Sequence, residues 1–362
     1  VTYPTSDPRV LAHRQGGLGT ITLNRPEAIN AVTREMLHAV REVLEAWLTD
    51  PDVQVVLFDA VGDRGFSAGG DVRVLHDAIR EGRLAEAEAF FRDEYTTNAY
   101  IDEYPKPIVA FADGVTMGGG IGIAGHSSVR VVTERSQLAM PETRIGFTPD
   151  AGGSWLLGQA PGRIGEFLAL TSWVMGPADA IFAGFADHFA PSDRLSSLRE
   201  ALTTRADPST PTELVLLFDE TLPAGPIERA RGWIDDAFAA DTVPEIMDRL
   251  RALAADGVGE GEEVSPAAAL AALTERSPVA LTVTLAAIRS SRAVRGLRDA
   301  VSQEFVLVTW FMATQPDMAE GIRAQMVDKD RSPKWRPATL AEVDPGIVGE
   351  AFAFEPERPL FG

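Results

Sequence analysis

An α/β fold, with helices laid on a sheet and a helical region after it, is what this sequence predicts. Three observations carry the prediction. Short apolar strands alternate with amphipathic helices as far as about Asp193. Two glycine turns, Gly65–Asp71 and Gly118–Gly120, each follow a strand and open a helix. Beyond Asp193 the strand pattern gives way to helical segments separated by Pro, Gly and Asp. We therefore expect a core containing the site over residues 1–193, a helical C-terminal region over 194–340 and a tail over 341–362.

The elements follow in order. Val10–Arg14 and Leu18–Asn24 read as a hairpin around Gly16-Gly17, with Ile21 and Leu23 alternating with Thr20 and Thr22. Thr33 can cap a helix whose apolar face is Met36, Leu37, Val40, Val43, Leu44, Trp47 and Leu48, and Asp50-Pro51 stops it. Val53–Phe58 is a buried strand. Glu81–Glu103 is a charged helix whose Phe90, Phe91, Tyr95 and Tyr100 pack inward. Ile108–Ala112 is a strand running into a turn at Asp113-Gly114, and Val129–Thr133 is another. An apolar helix follows Pro161, and Ala186–Phe189 is the last strand. Leu195–Leu202, Ile227–Phe238, Pro244–Ala254, Pro266–Leu273, Pro278–Arg289 and Val301–Ala313 are helical, with a solvated acidic loop at Asp256–Glu263.

Composition removes several function classes. The 362 residues are 45% apolar, enough for a full core, yet no run of eighteen apolar residues is present, so no membrane span is expected. No basic-then-apolar leader is visible, and a cytoplasmic location is expected. The absence of cysteine excludes disulfides, zinc–thiolate sites and a thiol nucleophile. The five histidines show no metal-ligand spacing. A formal net charge of −20 speaks against nucleic acid as a partner.

The chemistry concentrates between Pro105 and Gly153. Glycines at 118, 119 and 120 let a ligand oxygen approach bare backbone N–H groups, and N–H groups at a helix start favour negative charge. Two carboxylates, Glu142 and Asp150, each beside a proline, come about twenty to thirty residues later. Oxyanion donors and two acids are a kit for carbonyl chemistry. Two other motifs compete. Gly120, Gly122 and Gly125 fit G-x-G-x-x-G, but the helix they open is too short for a dinucleotide crossover. Gly65-Phe66-Ser67-Ala68-Gly69 fits the nucleophile elbow, with Asp150 and His188 in triad order. Gly62-Asp63-Arg64, however, separates it from the strand that would deliver the serine. A third reading uses both glycine turns: facing each other, the Gly70 and Gly119 N–H groups can grip one carbonyl oxygen.

Asn24-Arg25-Pro26, Phe66-Ser67-Ala68-Gly69-Gly70-Asp71 and Met117-Gly118-Gly119-Gly120 resemble the crotonase (enoyl-CoA hydratase/isomerase) superfamily. Phe91–Tyr95, Met140–Thr143, Pro149–Gly153 and Val327–Trp335 are most similar to its 3-hydroxyisobutyryl-CoA hydrolases. The resemblance spans about Gly17 to Val343. It implies a crotonase-like spiral of ββα units with a helical C-terminal region, and an acyl-CoA ligand in which coenzyme A is part of the substrate. It maps the oxyanion hole onto Gly70 and Gly119, with Gly118 beside it. The functional acids map onto Glu142 and Asp150, and a substrate-contacting glutamate onto Glu94. A backbone-built adenine pocket falls near Ala28, Ala68, Asp71 and Val72. No metal or redox cofactor is implied, and the family's habit is a homo-oligomer, trimer or hexamer.

One position separates hydrolase from hydratase within the resemblance. Hydratases carry a first catalytic glutamate two residues beyond the third glycine, where this chain has Gly122, and Asp150 stands where they usually have glycine. Adding water across a double bond needs a base for water and an acid for the α-carbon. One carboxylate lost and one gained elsewhere argues for chemistry other than hydration; the resemblance implies thioester hydrolysis, and the family name suggests valine breakdown as its setting. Glu142 then attacks the carbonyl or activates water, and Asp150 holds the substrate hydroxyl or helps protonate the thiolate. A hydratase or isomerase and a non-catalytic acyl-CoA-binding protein are the alternatives. Arg25, Lys329 and Lys334 are candidates for the coenzyme A phosphate. Thr148, where the hydrolases often have an aromatic, bears on acyl-chain preference.

Overall fold

A computed structural model of the chain describes residues 1–204, 207 and 210–361. Contacts divide it into two units, each assembled from three stretches. One takes Val1–Gly70, Asp93–Leu138 and Met175–Pro223; the other takes Asp71–Arg92, Ala139–Val174 and the chain from Ala224 on.

The first unit is built on a seven-stranded sheet. Its strands, in spatial order, are β1 (Thr2–Tyr3), β2 (Val10–Gln15), β3 (Leu18–Leu23), β4 (Val55–Ala60), β5 (Ile108–Ala112), β7 (Val129–Val132) and β9 (His188–Phe189). Strands β6 (Val115–Met117) and β8 (Gln137–Ala139) form a separate pair. The hairpin expected around Gly16-Gly17 is present, with Val10 opposite Leu23 and Gln15 opposite Leu18. From β3 onward every neighbour in the large sheet is parallel: Leu18 faces Val55, Val56 faces Ile108 and Val109 faces Val129. A parallel pair needs a crossover. Between β3 and β4 it is the helix Arg34–Leu48, capped by Thr33, whose hydroxyl oxygen accepts the Met36 N–H. That helix buries six of the seven residues predicted for its face, but Leu48 lies exposed at its end. Trp47 packs so closely on β3 that a Cβ on Gly19 would stand 2.7 Å from its ring.

Two expectations about strands shift. The strand read as Val53–Phe58 is Val55–Ala60; Gln54 precedes it with its N–H on the Gly17 carbonyl. The alternation on β3 does not separate core from solvent, because all six residues, Thr20 and Thr22 included, are buried. A parallel sheet covered on both faces leaves no solvent side. Leu18, Val55, Leu57, Val109, Phe111, Val129 and Val131 pack against Leu198, Leu202, Leu214 and Val215, from helices Leu195–Thr204 and Pro211–Leu216.

The second unit is helical. Helix Pro278–Ser291 lies at its centre, capped by Ser277, and packs on helices Gly153–Gln159, Ile164–Thr171 and Ile347–Phe352. Helix Leu297–Thr314 packs on Gly153–Gln159 and Ile347–Phe352 as well. The predicted helices at 227–238, 244–254, 266–273, 278–289 and 301–313 are all present, extended by a few residues. Helices Gly153–Gln159 and Asp317–Ile322 and a π-turn at Arg323–Val327 are additions. The distinctive Val327–Trp335 segment folds around one guanidinium. Arg323 donates to Glu320, Asp328 and Asp330, while the Ser332 and Lys334 N–H groups return to Asp330 and Glu320. Its acidic residues therefore build the turn. The tail is packed near its end: Arg92 donates to the carbonyls of Arg358, Pro359 and Leu360.

Candidate active site

In the first unit both glycine turns converge. The Gly65–Gly70 turn is zipped to β6, Ser67 N–H donating to the Val115 carbonyl and Met117 N–H to the Ser67 carbonyl. On its other side Ala68 N–H donates to Ile29 and Val32 N–H to Gly69. Gly69 has φ +101°, a conformation glycine alone adopts freely, and it turns the chain at Gly70. The second turn passes through Gly118, φ +47°, into the short helix Gly119–Ala124, whose first N–H groups have no partner within it.

These turns approach each other closely. A Cβ on Gly119 would stand 3.2 Å from the Gly70 nitrogen, and one on Gly69 would stand 3.4 Å from the Gly119 nitrogen. Among the described residues no acceptor meets either the Gly70 or the Gly119 N–H. Two backbone donors left open side by side form the pattern of an oxyanion hole. Glu94 belongs to the same cluster. It is buried on helix Leu84–Asp102, and its Oε1 occupies the place a Gly119 side chain would take.

The competing motifs resolve as structure. Ser67 is wholly buried; its hydroxyl donates to the Asn30 carbonyl at 3.0 Å and accepts the Gly69 N–H at 3.2 Å, so it pins the turn. His188 pairs with Asp219 at 3.1 Å. Gly120 and Gly122 lie buried inside a six-residue helix, and a Cβ on Gly120 would press on the Ser67 carbonyl at 2.6 Å. Gly120 thus serves the close packing of the two turns. Of the expected adenine-pocket residues, Ala28 ends the short helix Pro26–Ala28, and Ala68 is exposed with its N–H on Ile29. Asp71 and Val72 belong to the second unit, at the start of helix Val72–Arg80.

The second unit holds the predicted acids. Glu142 opens the 3-10 helix Glu142–Ile145 and is buried. The turn is tethered by Thr143, whose hydroxyl lies 3.1 Å from the Ala169 carbonyl and 2.7 Å from the Ser172 hydroxyl. It closes at Gly146, φ +82°, where any side chain would meet the Asp317 backbone. Asp150 is buried too, and the turn after it passes through Ala151 at φ +52° and Gly152 at φ +79° before helix Gly153–Gln159 starts. Thr148 is also wholly buried.

A third carboxyl, which no sequence motif marks, lies against this turn. Glu304 is buried on helix Leu297–Thr314 and accepts the Gly152 N–H at 2.7 Å and the Ser154 N–H at 2.9 Å. The sequence signal is a lone charge, the one charged residue between Val301 and Met312. Burial pushes its carboxyl up to about 8; the hydrogen bonds from Ser154 and Gly152 pull it down, and the Asp150 charge raises it further. The native chain therefore keeps a proton that the unfolded chain releases above about pH 4.5. The stability from this group is complete below that pH and is lost as pH rises to about 8, at roughly 1.4 kcal/mol per unit. Denaturant melts at pH 5 and pH 9 should show wild type losing a few kcal/mol relative to Glu304→Gln over that interval. Parallel pH profiles for the two proteins would refute it.

The first unit thus carries two converging glycine turns with open N–H groups, and the second carries two buried acids. The chain belongs to the enoyl-CoA hydratase/isomerase family, whose model matches residues 18–352. It is similar to the protein named 3-hydroxyisobutyryl-CoA hydrolase, mitochondrial, of Gallus gallus, 36% identical with 95% of this chain and 88% of the relative covered. The protein of the same name from Homo sapiens is 36% identical over 92% of this chain and 86% of the relative. Two solved structures are similar at 41% identity. One, described as a carnitinyl-CoA dehydratase from Mycobacterium thermoresistibile, has a TM-score of 0.88 with 98% of each chain covered. The other, described as an enoyl-CoA hydratase from Rhodobacter sphaeroides, has a TM-score of 0.86 and covers 95% of this chain and 97% of that one. The crotonase-like fold expected from the sequence is borne out. No helix among the described residues is long and apolar enough to cross a membrane.

Proposed function

We propose that the protein hydrolyses a short 3-hydroxyacyl-CoA thioester, 3-hydroxyisobutyryl-CoA first among them, to the free acid and coenzyme A. The Gly70 and Gly119 N–H groups polarise the thioester carbonyl and hold the oxyanion, about 3 kcal/mol for each donor. Glu142 delivers the nucleophile, either its own carboxylate oxygen or a water it deprotonates. Asp150 orients the 3-hydroxyl or returns a proton to the departing thiolate. Glu94 contacts the acyl end, Gly118 shapes the donor turn, and Ala28, Ala68, Asp71 and Val72 line the adenine pocket. The reaction draws on no metal or redox cofactor. A cytoplasmic setting, a role in valine breakdown and a trimeric or hexameric assembly belong to the same reading.

The observation that carries it is the exchange of carboxylates. Gly122 sits buried within helix Gly119–Ala124, where a hydratase would carry a glutamate, and Asp150 supplies an acid in another place. The vertebrate relatives named as hydrolases support it. A hydratase or dehydratase activity is favoured by the descriptions of the two solved structures. Free-thiol release separates the two. Rapid release from 3-hydroxyisobutyryl-CoA with crotonyl-CoA unchanged is the expected result. Loss of the enoyl absorbance without thiol would replace hydrolase by hydratase, and a bound but unaltered thioester would leave a binding protein.

A further inference from the structure

We propose that Glu304 is a positioning residue for the hydrolytic reaction: its carboxyl holds the Asp150–Ser154 turn and thereby fixes where the Asp150 carboxylate stands. This rests on the hydrolase reading of Asp150. The geometry is direct. Each Glu304 oxygen accepts one N–H, Gly152 at 2.7 Å and Ser154 at 2.9 Å, two and four residues beyond Asp150. Helix Gly153–Gln159 has glycine at its N-cap position and no side-chain cap of its own. A serine or aspartate at residue 152 would be the ordinary local solution. Here the acceptor comes from a helix about 150 residues away in sequence, which ties the turn to a rigid element.

The cost argues for a role beyond capping. A fully buried carboxyl in an otherwise apolar helix face is expensive, and a well-packed apolar side chain there would commonly serve the fold as well or better. Ala151 adds a second expense. Its φ of +52° is unfavourable for a residue with a Cβ, and such conformations persist where the surroundings over-determine them. Glu304 binds the N–H groups just past Ala151, and the Asp150 carbonyl accepts the Gly153 N–H at 2.6 Å. Asp150 is consequently held on a turn braced from inside and from helix Leu297–Thr314, the support a reacting carboxylate needs to stay within a fraction of an ångström of its place.

Kinetics of Glu304→Gln, Asp150→Asn and the double variant test this, with 3-hydroxyisobutyryl-CoA as substrate and thiol release as readout. Glu304→Gln keeps one acceptor and the side-chain volume. The expected result is a kcat lowered about 10- to 100-fold with KM changed less than threefold. In the double variant the loss should match that of Asp150→Asn alone, because Glu304 acts through Asp150. Multiplicative losses, or a kcat unchanged in Glu304→Gln, would overturn the proposal while leaving the hydrolase reading intact. A wild type that releases no thiol would overturn both. Should Glu304→Gln fail to fold, Glu304→Asp, which draws the carboxyl back by one methylene, takes its place with the same expectation.

Discussion

Alanine at position 119 should lower thioester hydrolysis by at least a hundredfold, and by about ten-thousandfold if both oxyanion contacts fail together. The added Cβ meets the Glu94 Oε1 and stands 3.2 Å from the Gly70 nitrogen. Glu94 sits on a 19-residue helix and is buried, so it cannot swing into solvent to make room. The change therefore strikes three groups together: the Gly119 donor, the Gly70 donor beside it, and the carboxylate proposed to contact the acyl end. Thiol release and a thermal melt on the same preparation give the check. A Gly232→Ala control distinguishes a local steric effect from a general intolerance of alanine. Gly232 lies in helix Pro226–Phe238 with nothing within 4 Å of an added Cβ, and alanine in a helix interior is the better residue. Gly119→Ala with kcat within threefold of wild type would remove Gly119 from the proposed oxyanion hole.

The glycine turns are legible as chemistry in the sequence itself. Gly69 and Gly118 need positive φ, and Gly119 and Gly120 need close approach, demands that only glycine meets and that a sequence displays openly. The same holds for the helix Arg34–Leu48, where a threonine cap and a continuous apolar stripe agree. Ser67 shows the limit of a motif. The G-x-S-x-G letters fit an elbow, but the hydroxyl is spent on the Asn30 carbonyl and the Gly69 N–H.

What stayed hidden has a physical pattern as well. Helix Gly153–Gln159 contains two glycines and no charge, so neither propensity nor periodicity marks it; its neighbours make it helical. Gly158 lies 3.1 Å, measured from an added Cβ, from the Ser291 backbone, a contact no local window contains. The partition into units is hidden for the same reason. Helices Leu195–Thr204 and Pro211–Leu216 cover the sheet although their sequence resembles the helical segments after them. Glu304 is hidden more deeply still, since a single charge among mostly apolar residues reads as a helix rim until its two backbone partners are known.

Glutamine in place of Glu142 should reduce kcat by a thousandfold or more with KM little changed. Under the proposed reaction this carboxylate is the group that makes or delivers the nucleophile, and general-base assistance alone accounts for about 10²–10⁴. The amide keeps the shape of the side chain, and the turn that carries it is tethered by Thr143 and Gly146. Loss of activity without loss of the thermal transition therefore isolates chemistry from folding. The two routes to product differ in what they leave on the protein. Direct attack joins the Glu142 oxygen to the acyl carbon and expels the thiolate, giving a mixed anhydride that water then cleaves. Base catalysis passes a water proton to Glu142 and never acylates it. Hydroxylamine added during turnover captures the anhydride route, converting Glu142 to a hydroxamate when it strikes the glutamyl carbonyl. A hydroxamate on the Glu142 peptide establishes the nucleophile, whereas an unmodified peptide with full turnover favours the general base. Activity within tenfold of wild type in Glu142→Gln would exclude both routes and shift the search for the nucleophile's activator to Asp150.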